Sequence, residues 1–420
     1  MGDFTDRLRG IHIRRVRRGQ PADLDSSGRN FRSGERSLLL VTTVAATYDA
    51  FLGPIAARMA SQGWRVELMT GGGDVVDALG ALSDVHRVGW RRALARPGTL
   101  QAVAEARRII TSRDFDLVHV HTPIAATVTR LANRTIPQQE RPLLIYTAHG
   151  FHFHPGRSAA GNLPYLVVEK LAGPLTDTLV VINAEDFEAA KRHRIVAVDR
   201  LVRHHGIGVD LEHYVVEDNL LLAGAQLRRS LDIVAEAPLF AMVAELNPGK
   251  RADLAVGALA GSGLDNGHLV LAGEGPLRGE IENLARKLGV AERVHLLGHL
   301  ADPRALMATA TAVVLPSMRE GLSRCVMEAQ ALGVPVIGSN IRGIAELVGP
   351  QDGTLVPVGH ADAIAKAMVH WAKAGYDEGR VRRSRLRLAP YSSAVVVANH
   401  NELYHRLIDS RRVAVTTAAR

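Results

Sequence analysis

The chain has 420 residues, 47% of them hydrophobic and 22% charged, with a formal net charge of +8. Those proportions exclude disorder as the main state, and the length is large for one core, so two domains are expected. Aromatic residues, at 4%, are too sparse for the stacking platforms that bind single-stranded nucleic acid, and the single cysteine, Cys325, excludes an intrachain disulfide and fits a reducing cytoplasm.

The positive charge is uneven. Nine arginines fall within the first 36 residues, several of them in IHIRRVRRG (11–19). This arm has no 7–15-residue apolar stretch of the secretory kind, so 1–36 is expected to be a basic, disordered arm and a candidate for contact with anionic lipid. No segment reaches the roughly 20 apolar residues of a spanning helix.

Order is expected from Ser37. LLLVTTV (38–44), WRVELMT (64–70), a weak strand at 84–88, DLVHVH (116–121), LLIYTAH (143–149), TLVVI (178–182) and RLVRHH (200–205) read as buried strands. Helical patterns at 51–63, 99–112, 123–133, 162–173 and 184–193 separate them. Such alternation predicts a parallel sheet covered on both faces over 37–205. GIGVDLEHY (206–214) and a polar, Leu-rich helix read as a connection spanning 206–237. A second α/β series fills 238–390: LFAMVAEL (239–246), LVLAGEG (269–275), VHLLG (294–298), VVLP (313–316), VPVIGS (334–339) and GTLVPV (353–358), with helices between. The basic stretch GRVRRSRLR (379–387) precedes a final helix, which with the tail makes up 391–420 and is expected to cross back to the first domain. The fold class is therefore α/β, two Rossmann-like domains with parallel sheets facing each other across a cleft. Ligands of such sheets bind beyond the carboxyl ends of the strands.

The most informative segment is SMREGLSRCVMEAQALGVPVIGSNIRGIAEL (317–347). Glu320 and Glu328 flank a Gly321-Leu322-Ser323 turn that opens an apolar-striped helix, with Ser323 as the expected N-cap. A strand-turn-helix unit aims backbone N–H groups and a positive dipole end at whatever sits above the turn, which suits a diphosphate. Carboxylates beside it suit neutral hydroxyls, since they accept hydrogen bonds and repel further anions. Phosphate with hydroxyl-binding carboxylates on either side describes a nucleotide sugar.

Three further motifs bear on that reading. VAELNPGKRAD (243–253) places Lys250 and Arg251 at a helix start, where a bound anion would offset their clash with the dipole. Gly273 and Gly275 in LAGEGPLR make a second strand-to-helix turn, consistent either with nucleotide contact or with a tight turn alone. YTAHGFHFHPG (146–156) ends a strand at His149 and then offers His152 and His154. No cysteine or paired carboxylate completes a zinc set there, so a strand-end histidine that hydrogen-bonds a sugar or polarises a leaving group is the better reading. His119 and His121 alternate along their strand, so one is expected to reach the cleft and the other to be a satisfied core histidine. Asp114 and Asp116 precede a strand, where capping explains them, and no motif calls for a divalent ion.

These residues resemble the retaining glycosyltransferases of family 4, which have the GT-B architecture and work without a metal. The resemblance covers roughly 38–405. Its most specific element is the E-x7-E at 320–328, and YTAHGFHFHPG, VINAEDFEAAK (181–191) and GIGVD are similar to the bacterial capsule, exopolysaccharide and O-antigen branch. It implies transfer of a hexose or N-acetylhexosamine, with retention, from a nucleotide diphosphate sugar onto a saccharide or polyprenyl-diphosphate-linked acceptor. The site would be cytoplasmic, peripheral at the inner face of the membrane, with the nucleotide sugar as co-substrate, no cofactor and no nucleic acid partner. A nucleotide-sugar epimerase or phosphorylase on this fold, and a non-catalytic sugar-binding regulator, are the alternatives.

The resemblance also implies roles. Glu320 would bind donor-sugar hydroxyls, the amides of Gly321, Leu322 and Ser323 the diphosphate, Glu328 the ribose, Lys250 the leaving phosphates, and His149 would be the active-site histidine. Gly273, Gly275 and Arg251 complete the expected donor set, with Tyr48, Asp49, His121 and His152 toward the acceptor. The chain departs from the family pattern twice. Glu245 stands where an arginine is commoner, so either Arg251 supplies the second cation or the diphosphate is held less tightly. VAATYDAFLGP (44–54) replaces a frequent Gly-Gly loop.

Overall fold

The computed structural model describes residues 36–90, 98–375 and 377–418. The basic arm at 1–36 therefore lies outside the described residues, apart from Arg36. The chain forms two compact units: the first comprises residues up to Val181, then Phe187–His204 and the chain from Val397 on; the second comprises Ile182–Asp186 and His205–Val396.

The first unit is built on seven parallel strands in the order β3-β2-β1-β4-β5-β6-β7. They are β1 (Ser37–Val41), β2 (Arg65–Thr70), β3 (Asp84–Arg87), β4 (Leu117–Val120), β5 (Leu143–Ala148), β6 (Thr178–Val181) and β7 (Leu201–Arg203). The central strands read SLLLV, LVHV, LLIYTA and TLVV because both faces are covered, and continuous apolar runs bury best there. Helices α1 (Ala45–Thr47), α2 (Gly53–Ser61), α3 (Gly98–Ser112), α4 (Pro123–Arg134), α5 (Ala159–Ala172) and α6 (Ala184–His193) supply the crossovers. Residues 45–50, expected as part of a loop, are helical as well, with a π-helical turn at Tyr48–Leu52 between α1 and α2.

The second unit has six parallel strands in the order β10-β9-β8-β11-β12-β13. These are β8 (Leu239–Val243), β9 (His268–Ala272), β10 (Val294–Gly298), β11 (Ala312–Leu315), β12 (Val336–Ser339) and β13 (Gly353–Val356). Its helices are α7 (Asp218–Ser230), α8 (Ala252–Gly261), α9 (Arg278–Lys287), α10 (Arg304–Ala308), α11 (Arg324–Ala331), α12 (Ala361–Lys373) and α13 (Glu378–Leu388). The segment 206–237 is part of this unit's core: Val209, Tyr214, Leu220, Ile233 and Ala237 pack in one cluster with Leu239, Leu306 and Val326. Gly224 lets α7 approach α10 closely, since a Cβ there would lie 2.9 Å from the Ala305 carbonyl oxygen.

The basic stretch 379–387 lies in the helix α13, and four of its five arginines are engaged within the unit, Arg387 lying 3.6 Å from Asp352. Arg383 pairs with Asp377 at 2.6 Å and with Asp352, Arg385 bonds the Tyr214 carbonyl at 3.3 Å, and Arg380 lies over the Trp371 ring. The last helix, α14 (Ser393–Ala418), contributes Leu403, Tyr404 and Ile408 to the cluster that contains Leu38, Tyr48, Ile145 and Val180. Among the described residues no helix is long and apolar enough to cross a membrane.

One buried charge in the first sheet is fully compensated. Glu67, 0% exposed on β2, is ion-paired with Arg65, bonded by His86 at 2.5 Å and approached by Arg113 at 3.6 Å. Burial alone would raise its carboxyl, but His86, Arg65 and Arg113 outweigh that and hold it below the usual range. Replacing Glu67 with Gln leaves Arg65 without its acid and Arg113 with Asp84 alone. Because Arg113 still reaches water, the expected loss is near the low end of the ~3–5 kcal/mol seen when a buried pair is broken. Chemical denaturation read on the first unit checks it, and a change well under 1 kcal/mol would contradict it.

Candidate functional site

In the second sheet the strand order reverses between β8 and β11, and the loops leaving these two strands carry the key side chains. After β8, the Asn247 side chain accepts from the amides of Gly249 at 2.9 Å and Lys250 at 3.2 Å, fixing a tight turn. Met318 then donates its amide to the Gly249 carbonyl at 2.9 Å, joining the loop after β11 to it. These constraints deliver Lys250 Nζ to 2.6 Å from Glu320 Oε1. Two residues 70 apart in sequence thus meet beyond the strand ends at the switch point, where open α/β sheets receive their ligands.

The Glu320 turn is held by its backbone. Asn183 Nδ2 donates to the Gly321 carbonyl at 3.0 Å and to Asp186 Oδ2 at 2.8 Å. Arg342, buried and ion-paired with Asp186, donates from Nε to the Glu320 carbonyl at 3.4 Å. Gly343, at φ 73°, must be a glycine, because a Cβ would lie 2.5 Å from the Gly321 carbonyl oxygen. Its own carbonyl accepts the Ser323 amide at 2.9 Å. Ser323 is the N-cap of α11, accepting from the Val326 amide, but its amide is already used within the fold and is not available to a phosphate.

Glu328 sits one turn further into α11, 6% exposed. Its Oε1 accepts from Tyr214 Oη at 2.6 Å and from Arg324 Nε at 2.7 Å. Burial and the Glu328 charge hold the Tyr214 phenol protonated well above its usual range. Burial, then the Glu328 and Glu320 charges, push the Cys325 thiol up to about 12, so it is a packed residue and not a nucleophile. Arg251, expected as a second free cation, adopts a left-handed backbone (φ 56°) and forks onto Asp253 at 2.9 and 2.8 Å. Gly273 and Gly275 serve backbone packing: a Cβ would meet the Ala244 carbonyl oxygen at 1.9 Å and that of Leu246 at 2.3 Å. Those contacts alone demand glycine at both positions.

The first unit presents a buried histidine group at the ends of β4 and β5. His119 is the satisfied core histidine, bonded by Tyr404 Oη at 2.6 Å and Thr147 Oγ1 at 2.7 Å. His121, just past β4, places Nδ1 3.2 Å from Nε2 of His149, just past β5. The far nitrogens of both rings, His121 Nε2 and His149 Nδ1, are buried without a hydrogen-bond partner. Phe51, from the π-helical turn, lies 5.0 Å from the His149 ring.

Three residues expected toward an acceptor are placed otherwise. Tyr48 is 1% exposed and donates to Asp77 at 2.8 Å, and Asp49 accepts the Val76 amide at 2.9 Å, so both hold the loop after β2. His152 stacks on Tyr165 of α5 at 5.3 Å. Sequence reasoning missed Tyr214, Asn183, Asp186, Arg342 and Phe51. The N-x-x-D spacing in VINAED and the arginine of RGIAEL were the visible signals for three of them. Among the described residues one grouping brings three metal-type ligands within 4.8 Å, Glu67, Asp84 and His86, and Arg65 and Arg113 already occupy its carboxylates.

The histidines set a pH dependence. Burial first, then neighbouring histidines, hold His119 and His121 well below 6.5 and His149 at about 3. Their folded values lie below the unfolded one, so the stabilisation is complete above ~6.5 and is lost as pH falls toward the folded values. Each histidine adds a slope of up to ~1.4 kcal/mol per pH unit in that window. In a Trp371→Phe background, Trp64 and Trp90 report on the first unit alone. Its denaturation midpoint is expected to fall steeply between neutral pH and mild acid, and a flat profile would contradict the buried neutral group.

The chain is similar to known proteins in sequence and in fold. Residues 225–385 match the family model described as Glycosyl transferases group 1, and residues 49–205 match the Glycosyl transferase 4-like domain. EpsD of Bacillus subtilis, a glycosyltransferase by assignment, is 31% identical over 338 residues, 79% of this chain and 86% of EpsD. The UDP-Gal:alpha-D-GlcNAc-diphosphoundecaprenol alpha-1,3-galactosyltransferase of Escherichia coli is 26% identical over 276 residues, 64% of this chain and 70% of that enzyme. In fold, the crystal structure of Anabaena HepE in complex with UDP and glucose is similar with a TM-score of 0.72 at 19% identity, covering 87% of this chain and 98% of that one.

Proposed function

Because this chain belongs to the group 1, family 4-like glycosyltransferases, enzymes that move a sugar from a nucleotide donor, we propose that it serves cell-surface polysaccharide synthesis by a retaining reaction. The donor is a UDP-linked hexose or N-acetylhexosamine, and the acceptor is a saccharide on a polyprenyl diphosphate at the cytoplasmic face of the membrane. The E. coli relative named for a UDP-galactose donor and a diphosphoundecaprenol acceptor supports both halves of that reading.

The observation that carries it is Lys250 Nζ at 2.6 Å from Glu320 Oε1, beyond the strand ends at the switch point. Glu320 accepts hydrogen bonds from donor-sugar hydroxyls while Lys250 faces the diphosphate. As the bond to UDP breaks, negative charge grows on the leaving phosphate, and Lys250, the Leu322 amide and the positive end of α11 stabilise it. Arg251 stays on Asp253, so Lys250 is the main side-chain cation. Glu328, fixed through one oxygen by Tyr214 and Arg324, offers the other to the ribose hydroxyls.

Both glutamates act as hydrogen-bond acceptors, so the acceptor hydroxyl attacks on the face from which UDP departs, and configuration is retained. His149 is neutral at physiological pH and serves as a hydrogen-bonding group for a sugar hydroxyl, not as a proton donor. The lysine and the helix start supply the positive charge the leaving group needs, so the reading calls for no divalent ion.

The test is a screen of UDP- and GDP-sugars for nucleotide release with and without polyprenyl-diphosphate-sugar acceptors. Release is expected to depend on acceptor, to survive EDTA, and to give a product with the donor's anomeric configuration. Glu320→Gln and Lys250→Ala should each lower turnover by about 10²–10³-fold with the fold intact, the range for removing a preorganised electrostatic group. Near-wild-type turnover in both would sink the assignment. Acceptor-independent conversion of the UDP-sugar would favour an epimerase instead.

Arg342 makes a separate prediction, since it acts on the Glu320 carbonyl and not on substrate. Arg342→Lys keeps a charge for Asp186 but loses the planar fork. It should lower kcat about tenfold while the melting temperature moves by only a few degrees. A drop in stability with kcat per folded molecule unchanged would make Arg342 purely structural.

A further inference from the structure

Helix α5 of the first unit carries a row of large apolar side chains on its exposed face. Its polar residues face the body of the unit: Asn162 bonds the backbone of His154 through both side-chain atoms, at 3.1 and 2.9 Å, and Glu169 takes Arg130 at 3.3 Å and the Tyr146 hydroxyl at 3.2 Å. Of its apolar residues, Leu166 packs on the core and Ala172 is buried, but four others face outward. Leu163 is 58% exposed, Val167 42%, Val168 40% and Leu171 74%. Positions 163, 167 and 171 follow one another at helical spacing, with Pro164 and Val168 beside them, so they form one stripe. A helix that spends its hydrogen-bonding side chains inward and leaves a continuous aliphatic stripe in water has its stripe made for another apolar phase.

We propose that this stripe docks the protein on the interface of a bilayer carrying anionic headgroups. Charge favours that occupant. Arg157 and Lys170 are exposed at the two ends of the helix, and its one acid, Glu169, is neutralised by Arg130, so the free charge beside the stripe is positive. Aliphatic side chains flanked by cations are the composition of a helix that lies in a headgroup layer. A second copy fits less well: a two-fold pairing of this one helix would oppose like charges, and four exposed side chains fall far short of the roughly 20–30 residues a side of a stable interface.

The helix is also tied to the candidate site. His152 stacks on Tyr165, and Asn162 grips His154, so α5 hangs from the loop that begins at His149. A bilayer seated on α5 therefore lies against the segment that leads into the His121–His149 pair. The proposal rests on the reading above only in its expectation that the acceptor is membrane-anchored.

The experiment is co-sedimentation of the full chain with phosphatidylcholine vesicles, with and without phosphatidylglycerol, at physiological salt and at salt high enough to screen the arginine-rich first 36 residues. The variant Leu163→Gln/Val167→Gln/Leu171→Gln changes only exposed side chains, and its melting curve should match wild type. Wild type is expected to bind anionic vesicles and to keep part of that binding at high salt. The triple variant should lose the salt-resistant part by about tenfold or more. Arg157→Glu/Lys170→Glu should abolish the preference for the anionic lipid. Wild-type binding by the triple variant, or no binding by wild type, would overturn the proposal. A wild-type dimer that the triple variant turns to monomer, with vesicle binding unchanged, would overturn it in favour of a second copy. Vesicle binding needs no donor or acceptor, so failure here leaves the proposed reaction standing, and failure of the UDP-release screen leaves this result standing.

Discussion

An ammonium group held 2.6 Å from a carboxylate is the contact on which the second unit's site is organised. Each partner alone at the mouth of a parallel sheet would wander, since a lysine has four rotatable bonds and a glutamate three. Together, with the loops joined by the Met318 amide and the Gly249 carbonyl, they make a dipole of fixed direction before any ligand arrives. The surrounding structure is devoted to that fixity. Asn247 shapes the lysine turn, and Asn183, Arg342 and Gly343 grip successive backbone groups of the glutamate turn. A donor entering such a site meets groups already in place, which is the condition under which electrostatic stabilisation of a leaving group is strongest.

Much of this was legible in the chain itself. The strands announced themselves as short, fully apolar runs between helical periodicities, and the two glutamates with the Gly-Leu-Ser turn marked the segment that meets Lys250. What sequence could not show was which groups consume one another. Ser323 reads as a free phosphate-facing amide until the Gly343 carbonyl is seen 2.9 Å away, and Arg251 reads as a spare cation until Asp253, two residues on, is seen gripping it. The same holds for Tyr48 and Asp49, whose polar atoms point at the loop after β2. Tyr214 and Phe51 are far from the motif in sequence and carry no signature of their own. Their part depends on long-range packing, which periodicity does not encode.

The two candidate groups of polar side chains are satisfied differently. Around Glu320 and Glu328, charged groups are held in pairs. Around His119, neutral imidazoles and hydroxyls form a buried network, anchored where Tyr404 meets His119, with two ring nitrogens left over, on His121 and His149. A neutral histidine can both give and accept one hydrogen bond, which suits recognition of a sugar hydroxyl better than a cation would.

Tyr404 also bears on how the protein comes into being. The first unit's core includes Leu403, Tyr404 and Ile408, residues made after nearly all of the second unit has been translated. Until α14 emerges from the ribosome, His119 lacks its hydroxyl partner and the apolar side chains of Leu38 and Tyr48 lack a cover. The amino-terminal unit is thus the last to be completed during synthesis, and the nascent chain must keep an open seven-stranded sheet from aggregating while the carboxyl-terminal unit folds ahead of it.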